Sequence, residues 1–237
     1  PSGIAGVQPE VALTYDSQTP ETSVGLGWGI SAGSSISRCR QTVAQDGQFS
    51  GLTFTESDRY CLDGQRLILL DDSYAEGEVG ATYKTEIDSQ LLITIANTTT
   101  GSKKMFVVEG KDGSKKYYGG TLNSEVAIAE DKVLTWNIRK IYDNLENDST
   151  AINFSYTDKN SSNSADLGFG EKALAQISYS GNKVVFEYQA GEIRSQAYVN
   201  GSEFTARAQL NDIKVYNHNK ELLFNYNLTF ESAANGV

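Results

Sequence analysis

Apolar and polar residues alternate along this chain with a period of two. Val11, Leu13 and Tyr15 are spaced this way, as are Leu91, Ile93 and Ile95, and Leu134, Trp136 and Ile138. The longest series is Leu222, Phe224, Tyr226, Leu228 and Phe230, whose opposite face carries Leu223, Asn225, Asn227 and Thr229. Period two sustained over this length predicts a half-buried strand, not a helix. Tyr, Phe, Thr, Val and Ile dominate these runs, as a pleated surface favours. Between them lie pairs that form turns: Asp46-Gly47, Asp63-Gly64, Asp112-Gly113, Gly181-Asn182 and Asn200-Gly201. Three prolines in the whole chain leave the strands uninterrupted. The pattern predicts an all-β fold of antiparallel sheets built from successive hairpins, in a curved shell-like or sandwich architecture. One helical turn is expected near Phe204–Leu210.

The second half repeats itself. Ile141-Tyr142, Ile177-Ser178-Tyr179 and Ile213-Lys214-Val215-Tyr216 open three units, and each returns through Phe-x-Tyr: Phe154/Tyr156, Phe186/Tyr188 and Phe224/Tyr226. Such recurrence predicts hairpins stacked along one continuous sheet. The most polar stretch, Asp158–Asp166, reads as a mobile loop within the first unit. Residues 1–237 are expected to form one β domain, with a sub-boundary near the acidic, glycine-bearing segment 71–80. The abrupt first and last residues suggest a piece of a longer polypeptide.

Charge removes two function classes. Lys and Arg number 20 against 30 Asp and Glu, a net charge of −10, and this balance opposes phosphate backbones and anionic membranes. No apolar run reaches the ~20 residues of a membrane span. No nucleic-acid partner and no membrane span are therefore expected.

Candidate chemistry is sparse. His218, the only histidine, sits in a turn-like Asn217-His218-Asn219-Lys220, where a catalytic base would lack orientation and shielding. Glu76-Gly77-Glu78 has the spacing used by ADP-ribosyltransferases, without that family's upstream Arg or Ser-Thr-Ser strand. The oxygen-rich Asp143–Asp148 segment lacks the ligand alternation and central Gly of an EF-hand loop. Gly25, Gly27 and Gly29 surround Trp28 at the wrong spacing for a dinucleotide fingerprint. Glycines there permit positive φ and close approach, so Trp28 is expected to act as a structural plug at a tight corner. No catalytic, metal or cofactor residue is assigned and no enzyme activity is expected. Cys39 and Cys61 are open to two readings, a single disulfide in an oxidising compartment or two buried thiols.

Several motifs in order carry a resemblance. Val11-Ala-Leu-Thr-Tyr15, Gly25-Leu-Gly-Trp28, Ile36-Ser-Arg38 and Ser57-Asp-Arg-Tyr-Cys-Leu-Asp-Gly64-Gln65 resemble the N-terminal domain of the virulence-plasmid B protein (SpvB) family. Similar domains open the B components of insecticidal Tc toxins and many Rhs/YD-repeat proteins. Asp112-Gly113 through Tyr117-Tyr118-Gly119 resembles that family's later hairpin. The chain departs from the pattern at Asp16–Ser23, where relatives often carry a Gly/Asn-rich turn, and at Arg40, where they often have proline.

The resemblance implies a non-catalytic structural domain of a secreted or cell-surface bacterial toxin. Its partners would be the remainder of its own polypeptide, with YD repeats and a C-terminal effector, and other toxin-complex subunits. The structural role is expected to rest on Gly25, Gly27, Trp28, Gly29, Arg38, Asp58 and Gly64, with Arg38 and Asp58 as a buried pair and Cys39–Cys61 as a candidate bridge. The alternative is an adhesion module that binds glycan or a host protein through exposed Tyr and Trp.

Overall fold

The computed structural model describes residues 1–4, 7–99, 103–129, 131–158 and 167–231. A short ribbon of β1 (Leu13–Tyr15) and β2 (Trp28–Ile30) stands apart from a 14-stranded antiparallel sheet. That sheet begins with β3 (Ser35–Cys39), and one helical turn, α1 (Val43–Asp46), precedes β4 (Arg59–Leu62). A meander follows through β5 (Gln65–Leu69), β6 (Thr82–Thr85), β7 (Leu92–Asn97), β8 (Lys104–Glu109) and β9 (Lys115–Gly119). Then come β10 (Glu125–Ala129), β11 (Lys132–Tyr142), β12 (Ile152–Asp158), β13 (Lys172–Tyr179), β14 (Asn182–Val199), β15 (Ser202–Tyr216) and β16 (Leu222–Asn227).

The strand β11 belongs to two structures at once. Its N-terminal half pairs with β3 on one edge, through Trp136↔Ile36, and with β10 on the other, through Trp136↔Glu125. Its C-terminal half pairs with β9, through Lys140↔Tyr117, and with β12, through Lys140↔Asn153. Contact with both β3 and β9 closes the meander, so β3 to β9 and β11 form an eight-stranded barrel. A barrel of eight strands has an interior just wide enough for side chains to fill. Here Tyr60, Tyr83, Phe106 and Trp136 fill it with edge-on rings whose centroids lie 5.1–6.0 Å apart. Ile36, Leu67, Ile93, Ile95 and Val108 are buried with them.

From β12 onward the sheet leaves the barrel and runs open through β16, in the order of the sequence. The repeat units correspond to its strand pairs, with Ile177 opposite Phe154 and Ile213 opposite Phe186 and Tyr226. One face carries Phe154, Ile177, Val184, Phe186 and Ile213, all buried. The N-terminal segment lies against this core. Val7 and Val11 pack on it, the Tyr179 hydroxyl donates to the Pro1 carbonyl at 2.9 Å, and Leu210 N–H donates to the Ser23 carbonyl at 2.7 Å. Farther out, the Glu171 carboxylate accepts from Gly168, Arg207 and Ala208 N–H groups and pairs with Arg194 at 3.2 Å. It anchors β15 beside the irregularity between Ala190 and Ser195 of β14.

Two-residue turns follow the sequence closely, except that the expected Gly181-Asn182 pair is shifted by one to Ser180-Gly181, because Asn182 pairs with Tyr179 as the first residue of β14. Asp63-Gly64, Ser180-Gly181 and Asn200-Gly201 each place both residues at positive φ, which matches the right-handed twist of the strands they join.

Three expectations change. Phe204–Leu210 is not helical but the middle of β15, where pairing with β14 overrides the helix propensity of Ala, Arg and Gln. The helical turn falls instead at Val43–Asp46. Thr42 caps it by accepting from Gln45 N–H, and Gly47 ends it at φ +71°, so Asp46-Gly47 is a helix end and not a hairpin turn. The Leu222–Phe230 series is half-buried only at its end: β16 is exposed along its whole length as the last strand of the sheet, and only Leu228 and Phe230 beyond it are partly buried. The expected loop at Asp158–Asp166 lies outside the described residues beyond Asp158, where β12 ends. The 71–80 segment connects β5 to β6, which pair with each other inside the barrel.

Barrel closure depends on one close approach. Gly119 ends β9 at φ +70°, and a Cβ there would lie 2.1 Å from Trp136 Cδ1. Gly64, at φ +83°, has open space around it. Gly119→Ala is expected to cost about 3 kcal/mol and Gly64→Ala about 1 kcal/mol. Thermal melts of the two variants check this, and equal losses would refute the packing argument.

Candidate functional site

Of the residues singled out in the sequence, Arg38, Asp58, Cys39 and Cys61 come together on β3, β4 and the segment leading into β4. Side chains alternate along β3 and β4, so Arg38 and Tyr60, which are paired across the strands, point inward while Cys39 and Cys61 point outward.

Arg38 enters a cage of rings. Its guanidinium carbon lies 5.3 Å from the centroid of Phe54, 5.5 Å from Tyr60 and 5.7 Å from Trp136. Nε donates to the Val133 carbonyl at 2.9 Å, and Nη1 meets Asp58 Oδ2 at 3.2 Å. The Arg38 side chain is 11% exposed and that of Asp58 only 1%. Asp58 in turn accepts from the N–H groups of Thr53 and Phe54 at 2.8 and 2.7 Å, and from the Thr53 hydroxyl. One carboxylate thus folds the 53–58 loop, holds Phe54 at φ +59° and sets its ring against the arginine. A buried charge needs such saturation of its lone pairs.

On the outer wall the Cys39 and Cys61 sulfurs are bonded at 2.03 Å, with a Cα separation of 6.0 Å. The bridge closes the loop that carries α1. In the chain-entropy model a loop of this size contributes about 3 kcal/mol. Above it, Asp46 of α1 pairs with Arg66 at 2.6 Å and with Arg59 at 3.1 Å. Burial works against ionisation of Asp46, but hydrogen bonds from Arg66 and from Thr42 N–H outweigh it and hold the carboxyl below the usual range.

Arg59 also faces Glu76 at 3.6 Å. Glu76 is less well served, since its Oε2 is buried without a partner and burial pushes the carboxyl up despite Arg59. Sequence reading missed this network because its members come from α1, β4, β5 and the 71–80 loop. The signal available was Arg59, a second arginine after Arg38, set between Asp58 and Tyr60.

Asp63 joins the neighbouring edge. Its carboxylate accepts from the Ser34 hydroxyl at 2.7 Å and from Ser35 N–H at 2.8 Å, and Ser34 lies 2.9 Å from the Tyr118 hydroxyl. Burial pushes the Tyr118 phenol up to about 12. These contacts tie the Asp63-Gly64 turn to the barrel interior.

The glycine-tryptophan motif sits elsewhere. Gly25 and Gly27 have φ values of +105° and +79°, whereas Gly29 is paired in β2 and has no such requirement. A Cβ on Gly27 would lie 2.6 Å from Tyr15 Cε2, so this glycine makes room for a ring. Trp28, however, is 43% exposed and packs on Tyr15 at 5.3 Å between centroids. It is not the plug. That part is taken by Trp136, because the β1–β2 ribbon lies outside the barrel while β11 runs through its wall.

The other candidates stay separate. His218 is exposed in the turn between β15 and β16. The Asp143 and Asn147 side chains accept from N–H groups within their own turn. Among the described residues no three His, Cys, Asp or Glu side chains come together as a metal site, and no helix is long and apolar enough to cross a membrane.

Two expectations follow. Arg38→Ala leaves the Asp58 carboxylate buried and unpaired, so a loss of about 3–5 kcal/mol is expected in denaturant unfolding; an unchanged midpoint would show that the pair is not structural. Glu76 behaves differently. A carboxyl raised in the fold costs stability above its unfolded value of about 4.3, and that penalty fades as pH falls toward it. Glu76→Gln is therefore expected to raise the melting temperature at pH 7, with the gain shrinking toward about pH 4. A gain independent of pH would contradict this assignment.

The family model described as Salmonella virulence plasmid 65kDa B protein (SpvB) matches residues 2–227. No curated protein matches significantly. The N-terminal domain of effector protein SpvB from Salmonella typhimurium strain LT2 superimposes with a TM-score of 0.67 and 14% identity, over 90% of this chain and 84% of that one. The TcdB2-TccC3 crystal structure gives 0.69 and 16%, over 90% of this chain and 13% of the other. The Photorhabdus luminescens Tc holotoxin pore gives 0.66 and 15%, over 89% and 12%. The chain thus spans about an eighth of the length of these toxin chains. At such identities the likeness is one of fold.

Proposed function

Because the chain belongs to the SpvB family, we propose that residues 1–237 act as one N-terminal structural domain of a secreted or cell-surface bacterial toxin. The domain supplies β-sheet to a shell that encloses or assembles with an effector carried farther along the same polypeptide. It performs no catalysis itself. Arg38, Asp58 and the Cys39–Cys61 bridge hold the start of β4 and the turn at Gly64 its end, while Gly25, Gly27, Trp28 and Gly29 shape the outer ribbon. Its partners are the YD-repeat and effector parts of its own chain and other toxin-complex subunits.

The observation that carries this reading is the contrast between the two ends of the sheet. The barrel end is closed and filled with rings, as a scaffold requires. The other end stops at β16, whose second edge has no strand partner among the described residues and which exposes Leu222, Leu223, Phe224 and Tyr226. Long exposed apolar edge strands invite a further strand. The Tc toxin structures, in which this fold occupies about an eighth of a chain, support the same arrangement. Glycan or host-protein binding remains the second reading, favoured by the stacked pair Phe224 and Tyr226, whose centroids lie 6.3 Å apart on this exposed strand.

The test is limited proteolysis of the polypeptide encoded by the full reading frame, compared with a version lacking residues 1–227. The C-terminal segment is expected to be cleaved at least about tenfold more slowly in the full polypeptide, as a shielded segment opens rarely. Equal cleavage rates, or a reading frame without further β-rich repeats, would overturn the proposal.

A further inference from the structure

A cavity of about 930 Å³ lies on the outer wall of the barrel. Its floor is the Cys39–Cys61 bridge, and its sides come from the α1 loop and from the tip of the β14–β15 hairpin. Two segments about 150 positions apart in sequence therefore enclose one space, within the ~300–1,000 Å³ typical of small-ligand sites.

Three features of the lining point to one ligand class. Arg40 has no carboxylate partner among the described residues, and its guanidinium lies 5.7 Å from the centroid of Phe49. Arg66 is buried and gives its Nη groups to Asp46 and Gln45, leaving Nε without an acceptor. Phe49 from the α1 loop and Tyr198 from the hairpin both line the cavity with exposed rings. Glu86, which already accepts from Gln45 Nε2, adds a carboxylate suited to hydroxyl groups.

One uncompensated guanidinium matches a single negative charge. The net charge of −10 opposes multiply charged phosphates. Exposed rings suit the C–H face of a pyranose, and amide and carboxylate groups suit its hydroxyls.

We propose that this cavity binds a carboxylated sugar, the sialic or uronic acid unit of a glycan, with Arg40 taking the carboxylate and Phe49 and Tyr198 flanking the ring. The glycan-binding reading of the chain is thereby given a site and a ligand class, at a place separate from β16. The titration needs only residues 1–237, so its failure would leave the shell reading untouched, and failure of the proteolysis test would leave this one untouched.

The experiment is titration of the chain with N-acetylneuraminic acid and glucuronic acid, followed by amide chemical shifts. Glucose, N-acetylglucosamine and acetate serve as controls. Shifts are expected to cluster at residues 40–49, 65–66 and 198–200, with millimolar affinity for at least one acid and at least about tenfold weaker binding of the neutral sugars. Arg40→Ala and Phe49→Ala, both at exposed positions, should each weaken binding about tenfold or more with unchanged melting temperature. No shift with either acid, equal binding of neutral sugars, acetate as effective as the acids, or full affinity in Arg40→Ala would each overturn the proposal.

Discussion

The rest of the structure hangs on β11 and its two sets of neighbours. A strand has only two edges, and each half of β11 spends them on different partners. The N-terminal half takes β3 and β10, and the C-terminal half takes β9 and β12. Pairing with both β3 and β9 converts a meander into a barrel, and pairing with β12 starts the open sheet from the same backbone. Trp136 sits on the shared strand with its ring inside the barrel, and the missing side chain of Gly119 lets β9 approach it.

The charges are arranged around that barrel by the alternation of side chains. On the inner face of β3 and β4, a single arginine is accommodated because three aromatic faces and one saturated carboxylate replace its water. On the outer face the disulfide and the Asp46 network hold the α1 loop down, leaving a cavity beside them. The two networks meet at the 53–60 segment, where Asp58 faces in and Arg59 faces out. The adjacent residues in Ser57-Asp58-Arg59-Tyr60 are thus divided between two faces by the period of a strand.

Much of the fold was legible because period two and turn chemistry are local. Asp63-Gly64 and Asn200-Gly201 occupy left-handed conformations that favour those residue types, so their hairpins could be read directly. The three Ile…Phe-x-Tyr units lie along one sheet for the same reason. Local reasoning failed where a distant partner decided. Ala, Arg and Gln at 206–209 suggest helix until β14 is laid beside them. Asp46-Gly47 suggests a hairpin until Thr42 caps a helical turn. The fault with Trp28 was of another kind: glycines mark a special backbone, but they do not say whether the ring they flank is inside.

By itself, then, the sequence determined the all-β class, most hairpin turns and the family, since these depend on alternation, local dihedral preference and motifs close together in the chain. Tertiary structure alone decided which strand closes the barrel, which tryptophan fills it and which apolar strand is left uncovered. It also decided that the α1 loop and the β14–β15 tip enclose one cavity. Each of these depends on which segments, remote in sequence, come to share an edge or a face. Alternation shows that a strand has an apolar side, but only packing determines what that side meets.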